Sequence, residues 1–302
     1  MELTKCKLGE LITQRREKND GSDLPICGVS KDGLIPPKQK DADTSIYNVF
    51  YRDDFIFNPA RMELNSIAIN DMYDRAICSS LYEVFYVHRT DLLLPHYLKL
   101  IIRQKWFTRY CEFLGQGSAR EYCRFSNISE IEIEFPPVEE QQKIVDYNTV
   151  IENRIALKQK INDNLEEAAS AIFKSYFVTF EHYGGNMPPN WKQATIGDVV
   201  SVSRGASPRP IQDYISQSGM PWVKISDASS SVSKYLFKTA EYIIPEGIQN
   251  SRTVTKGMMI VSNSASPGLP MIMEITACVH DGWLIIDDYD CVTQEFMYYH
   301  FL

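Results

Sequence analysis

Ile144, Ile151, Ile155, Leu165, Ala169, Ile172 and Tyr176 fall on one row whose members alternate four and three residues apart, with Asn148, Lys158 and Asn162 as its polar members. Such a row is one stripe of a helix and has the form of a coiled-coil seam, in which polar members cost stability and fix register. The helix opens at Pro137, whose fixed φ and missing N–H suit a first turn. Glu139 and Glu140 follow, where the helix dipole favours carboxylates. Neither Gly nor Pro interrupts the stretch before Gly184-Gly185, which mark its stop. Roughly forty residues at 1.5 Å each give a rod of about 60 Å, longer than a globular domain needs. A long core helix of one domain is the plain alternative.

The flanking segments carry a different pattern. Short strand-like runs at 24–29, 47–50, 54–58, 66–70 and 83–87 are separated by Gly, Asp and Pro, and one helix is predicted over 95–113. After the rod, similar runs recur at 221–225, 242–244, 258–262, 271–275 and 283–286. Ile196-Gly197-Asp198-Val199 echoes Leu8-Gly9-Glu10-Leu11. The expectation is an α+β chain of two target-recognition-type domains with short mixed strands, residues 1–135 and 184–302, joined by a long coiled-coil-type helix over 136–183.

Charge changes this picture in one respect. The formal net charge of −8 argues against a generic nucleic-acid binder, yet residues 1–130 are neutral and 182–256 carry +3. The acidic excess lies in 131–181 and 257–302. Either flanking domain can therefore present a basic face. Seven scattered cysteines without a C-x-x-C pair support neither a zinc site nor a disulfide framework. With no long apolar run and no signal-like start, the expected location is cytoplasmic, away from membranes.

Phe135-Pro136-Pro137-Val138-Glu139-Glu140-Gln141-Gln142-Lys143-Ile144 resembles the P-P-x-x-E-Q-x-x-I helix start of the specificity subunits of type I restriction–modification systems. Asn164 to Ala168 and Ile172 to Phe177 are similar to the end of that family's central helix. Pro189-Asn190-Trp191 with Ile196-Gly197-Asp198 looks like the entry to a second recognition domain, and Gly205-Ala206-Ser207-Pro208 and Met220-Pro221-Trp222-Val223 match patterns that follow it. Asn58-Pro59-Ala60-Arg61 resembles a turn of one class of these domains. One departure stands out: the family's second proline–glutamine helix is absent, and residues 295–302 lie in what looks like the last helix of the second domain.

The resemblance implies a non-catalytic DNA reader whose two domains each take half of a bipartite target. Partner methyltransferase subunits and a restriction subunit would do the chemistry on double-stranded DNA, and no cofactor is expected here. The residues agree as far as they go, since neither a methyltransferase N-P-P-F motif nor a nuclease carboxylate–lysine set is present. Asp287 to Asp290 make a solvated turn before they make a cation site. Phosphates and base edges call for Arg, Lys, Asn and Ser on loops. The candidates are Arg15, Arg16, Lys18, Asn58, Arg61, Arg120 and Arg124 in the first domain, and Arg204, Ser207, Arg209, Lys224 and Arg252 in the second. The seam residues Ile144, Ile151, Ile155, Leu165, Ala169, Ile172 and Tyr176 are the candidate subunit interface, for a second specificity polypeptide or self-association. Two other readings stay open: a coiled-coil protein-interaction module with no DNA role, and a truncated or phase-variable inactive subunit.

Overall fold

The computed structural model describes residues 3–31, 33–37, 43–115 and 122–302. The chain splits into two compact units, Met1–Gln159 and Lys160–Leu302, each mixed α and β. The first holds β1 (Thr4–Lys7), β2 (Ile12–Arg15), β3 (Ile26–Ser30), β4 (Gly33–Ile35) and β5 (Asn48–Tyr51). After these come β6 (Phe55–Phe57), β7 (Ile67–Ile69), β8 (Arg75–Cys78), β9 (Glu83–Val87) and β10 (Glu132–Phe135). β1 and β10 pair antiparallel, closing the ends of the unit. The rest form two sheets, ordered β2-β9-β6-β7 and β4-β3-β8-β5, and only the β3–β8 ladder among the described residues of this unit is parallel.

β6 is buried on both faces. Phe55 and Phe57 point into a cluster with Phe85, Leu98 and Phe107, while Ile56 points between the sheets toward Phe50, Val84 and Cys27. A period of two puts alternate residues on opposite sides, so a strand covered twice is apolar throughout. Phe55 stacks on Phe85 at 5.0 Å between centroids. Burying each such ring contributes about 2–3 kcal/mol.

The helix predicted over 95–113 is two helices, α1 (Pro95–Ile102) and α2 (Lys105–Gly115), broken at Arg103-Gln104. The break rotates the second piece, so Phe107 and Cys111 are buried while Trp106 and Tyr110, which an unbroken helix would place on the same face as Leu98 and Ile102, are exposed. α3 (Phe125–Ser129) precedes β10.

α4 (Val138–Phe173) is one continuous helix of 36 residues, about 54 Å long at 1.5 Å per residue. Its start is anchored on the first unit by Gln141, which is fully buried. The side chain accepts from Leu94 N–H at 2.9 Å and donates to the carbonyls of Leu92 and Pro136 at 2.7 Å each. Glu152 is strapped to Arg103 and Lys99. Every residue from 153 to 165 is exposed. A π-helical turn at Lys174–Val178 then leads to Phe180 in the left-handed region, so the stop comes before the glycine pair.

The second unit holds α5 (Ile196–Val199), β11 (Ser201–Arg204), β12 (Ile215–Ser216), β13 (Met220–Val223), α6 (Ile225–Ser229), β14 (Tyr235–Leu236) and β15 (Glu241–Ile243). It continues with α7 (Pro245–Ile248), β16 (Arg252–Val254), β17 (Met259–Ser262), β18 (Pro270–Met273), β19 (Ala277–Val279), β20 (Trp283–Asp287) and α8 (Gln294–Phe301). Its sheets run β11-β20-β17-β18-β14 and β12-β15-β13-β19-β16. Without β12 and β14, both orders repeat those of the first unit strand for strand, including one parallel ladder, β13 with β19. The echo between residues 8–11 and 196–199 has a structural basis. Each is a single helical turn entering β2 or β11, the corresponding strands of the two units, with Glu10 or Asp198 accepting from the backbone N–H of Lys7 or Thr195. Phe173 packs on Phe296 and Tyr299 of α8 within the second unit. Among the described residues no helix is long and apolar enough to cross a membrane.

Candidate nucleic-acid interface

In the first unit a cleft of about 1220 Å³ opens between the β6–β7 and β8–β9 connectors. Asn58, Arg61, Ser66, Ser79 and Tyr82 are among its walls. The β6–β7 connector is a 3-10 turn, Pro59–Leu64, entered through Asn58, whose Oδ1 accepts from Ala60 N–H at 3.1 Å. The Asn58 cap and the pyrrolidine at the first helical position explain why the chain turns there. Arg61 sits in this turn, exposed, with no ion pair or side-chain hydrogen bond among the described residues. Beyond the rim, Arg16 donates to Gln14, Gln14 donates to Glu83, and Glu83 accepts from Arg124, a polar chain that brings Arg16 and Arg124 together.

Arg15 and Lys18 are spent locally. The Arg15 guanidinium makes two hydrogen bonds to Asp54, at 2.6 and 3.1 Å, and lies between the rings of Tyr51 and Tyr86 at 4.7 and 4.6 Å. Asp54 is buried, and burial pushes its carboxyl up against the pull of Arg15. The Lys18 ammonium is held by Asn48 Oδ1 and the Ile46 carbonyl. Arg120 lies outside the described residues.

The second unit has a smaller notch, about 360 Å³, at the matching place. It is walled by the β17–β18 connector (Asn263, Ser264), the β19–β20 connector (His280, Asp281, Gly282) and Arg204. Asp281 gathers three of the five candidates. Its Oδ1 accepts from Ser207 Oγ at 2.8 Å, its Oδ2 from an Arg209 nitrogen at 3.0 Å, and its carbonyl from Arg204 Nε at 2.8 Å. The Ser207 hydrogen bond holds the Asp281 carboxyl below the usual carboxylate range. Gly205 permits this convergence, since a Cβ there would overlap the carbonyl oxygen of His280. His280 Nδ1 accepts from Gly282 N–H at 2.8 Å, which leaves the proton on Nε2. Burial keeps this imidazole below the usual histidine range, so it is neutral at pH 7. Lys224 is paired with Glu241, and exposed Arg252 is the ladder partner of Val279, the residue before His280. Asp281 itself was not a candidate from sequence, though the Asp-Gly pair between two strand runs is a turn signal.

Residues 6–167 match the description of the type I restriction modification DNA specificity domain. The chain belongs to that family. Over 146 residues it is 27% identical to the type I restriction enzyme MjaIX specificity subunit of Methanocaldococcus jannaschii, covering 45% of this chain and 34% of that protein. The type I restriction enzyme HindI specificity subunit of Haemophilus influenzae is 31% identical over 116 residues, 38% of this chain and 24% of that one. The chain therefore spans about a third and a quarter of the lengths of these curated relatives. The crystal structure of the type I restriction–modification S subunit from M. genitalium shares the fold, at TM-score 0.56 and 15% identity over 99% of this chain and 76% of that chain.

The specificity-domain match takes in the first unit's cleft and ends inside α4. The second unit's notch is tied to that cleft by strand order. Two of the buried thiols are shifted away from reactivity. Burial pushes the Cys78 thiol up, and a hydrogen bond with Cys123, reinforced by burial, does the same to Cys111. A nucleophilic thiol needs the opposite shift. Among the described residues no group of three or more His, Cys, Asp or Glu side chains could hold a metal ion. On α4, Ile144, Ile151, Ile155, Leu165 and Ile172 are exposed and Ala169 is half-buried; in the π-helical turn that follows, Tyr176 is half-buried and stacks on His182 at 3.9 Å.

Proposed function

We propose that this chain is the DNA-reading subunit of a type I restriction–modification assembly. The first unit reads one half of a bipartite duplex target at its cleft and the second unit reads the other half at its notch. Methylation and cleavage belong to partner methyltransferase and restriction subunits. One observation supports this most: two clefts on topologically equivalent connectors, each with one candidate arginine in its wall, Arg61 or Arg204, in two units of repeated strand order. Arg61, Arg16 and Arg124 serve the first half, and Arg204, Ser207, Arg209 and Arg252 the second. Two modest affinities become a useful one when both halves engage together.

The test is selection of bound duplexes from a randomised DNA pool by the full chain, repeated across a salt series. A split consensus is expected, with log affinity falling linearly against log salt by about one unit of slope per phosphate contact. Removal of one heptad within 144–172 shortens the helix by about 10 Å. It should change the spacer between the two halves or abolish binding, and an unchanged spacer refutes the helix as a ruler. The exposed row on α4 favours one further assignment, that Ile144, Ile151, Ile155, Leu165 and Ile172 dock a second helix or another subunit. An interaction module without DNA contacts would show that docking and no salt-dependent DNA binding.

A further inference from the structure

The second notch holds an acid where nucleic-acid affinity alone asks for bases. Asp281 lies beside Arg204 and Arg209, and its side chain is 40% exposed. A carboxylate there repels phosphate, so for backbone binding it is a cost. It is nevertheless ordered, by Ser207 on one oxygen and Arg209 on the other. Each carboxylate oxygen has two acceptor sites, so two sites remain after these bonds are counted. The connector that carries Asp281 corresponds in strand order to the one that supplies Ser79 and Tyr82 to the first unit's cleft. Around it the notch presents donors: Arg204, Asn263, Ser264 and the Nε2–H of His280.

We propose that Asp281 is a specificity-determining residue whose carboxylate accepts a hydrogen bond from an exocyclic amino group, cytosine N4 or adenine N6, in the major groove. This rests on the DNA-reading function above. The same charge rejects guanine O6 and N7 and thymine O4, which are acceptors, so the contact selects by repulsion as well as attraction. Ser207 and Arg209 keep the carboxylate aimed, and Arg209, 73% exposed, has further N–H groups to offer a phosphate.

The experiment compares the full chain and its Asp281→Asn variant in selection from a randomised duplex pool. Asparagine keeps the shape and an acceptor for Ser207. The expected result is relaxed preference at one base pair, with every other position and the split spacing unchanged. A second measurement does not depend on the variant folding. Wild-type chain is titrated with its selected duplex and with duplexes in which single exocyclic amino groups are deleted, one at a time, from the second half-site. One deletion, in a cytosine or an adenine, should weaken binding about tenfold. A uniform loss at all positions in Asp281→Asn would make Asp281 a loop-ordering residue only, and overturn the proposal. So would unchanged binding after every amino deletion. If wild-type chain enriches no sequence at all, the DNA-reading function itself falls, a result distinct from either.

Discussion

Arg15 and Arg204 end corresponding strands, β2 and β11, each opposite the corresponding neighbour, β9 or β20. Their fates differ. Arg15 is folded inward onto buried Asp54 between two tyrosine rings, whereas Arg204 stays exposed and grips the carbonyl of Asp281. The connectors differ in the same way. The first unit closes its cleft with Ser79-Ser80-Leu81-Tyr82, the second with His280-Asp281-Gly282. Ladder order fixes where a connector emerges and leaves its chemistry free. Two units of one topology therefore present two unlike surfaces.

The largest expected effect separates the two arginine environments. Asp54→Ala leaves the half-buried Arg15 guanidinium without its partner and should cost about 2–3 kcal/mol of stability, while Asp281→Ala, half-exposed, should cost under about 1 kcal/mol. Urea denaturation of both variants measures this, and equal losses would erase the distinction drawn between the units. Next comes the attachment of α4, polar on the first unit and aromatic on the second. Gln141→Leu leaves an N–H and two carbonyls without partners and should lose about 2 kcal/mol. Amide exchange over residues 138–150 should quicken with it, leaving 170–178 unchanged. Arg61→Ala should weaken DNA binding by about 1–2 kcal/mol, lowering the salt slope by about one if Arg61 meets phosphate and relaxing one base position if it meets an edge. An unaltered titration would remove Arg61 from the site.

The smallest effect concerns pH and only the second unit. The folded His280 pKa lies below the unfolded value near 6.5. On acidification the unfolded chain therefore takes up this proton first. Stability contributed by neutral His280 is complete above about pH 6.5 and is lost as pH falls toward the folded value. Melting curves at pH 7.5 and 5.5 should show a decline that His280→Gln lacks.

The apolar strands were legible in sequence because their burial is written in their own composition: residues 83–87 and 258–262 lie where the runs predicted. β2 was not legible. Ile12-Thr13-Gln14-Arg15 reads as the start of a polar loop, and it becomes a strand because Arg15 finds its cage on β5, β9 and Asp54. The break at Arg103-Gln104 was hidden because neither residue disfavours a helix. Arg209 was recognisable as a loop residue beside prolines, while Arg204 closes a strand. Asp281 was not recognisable, because a lone acid in an Asp-Gly turn between two apolar runs looks solvated, and its partners are 72 to 77 residues away in the chain. Local spacing carries no information about that encounter.

Thirteen successive residues of α4, from Asn153 to Leu165, are all exposed. A free peptide of that length is a marginal helix in water. The middle of α4 therefore borrows its persistence from the anchored turns at either end, as a bridge deck borrows stiffness from its abutments. A companion laid along the apolar row would give the span a second support along its length and hold its helical turns where neither end can reach.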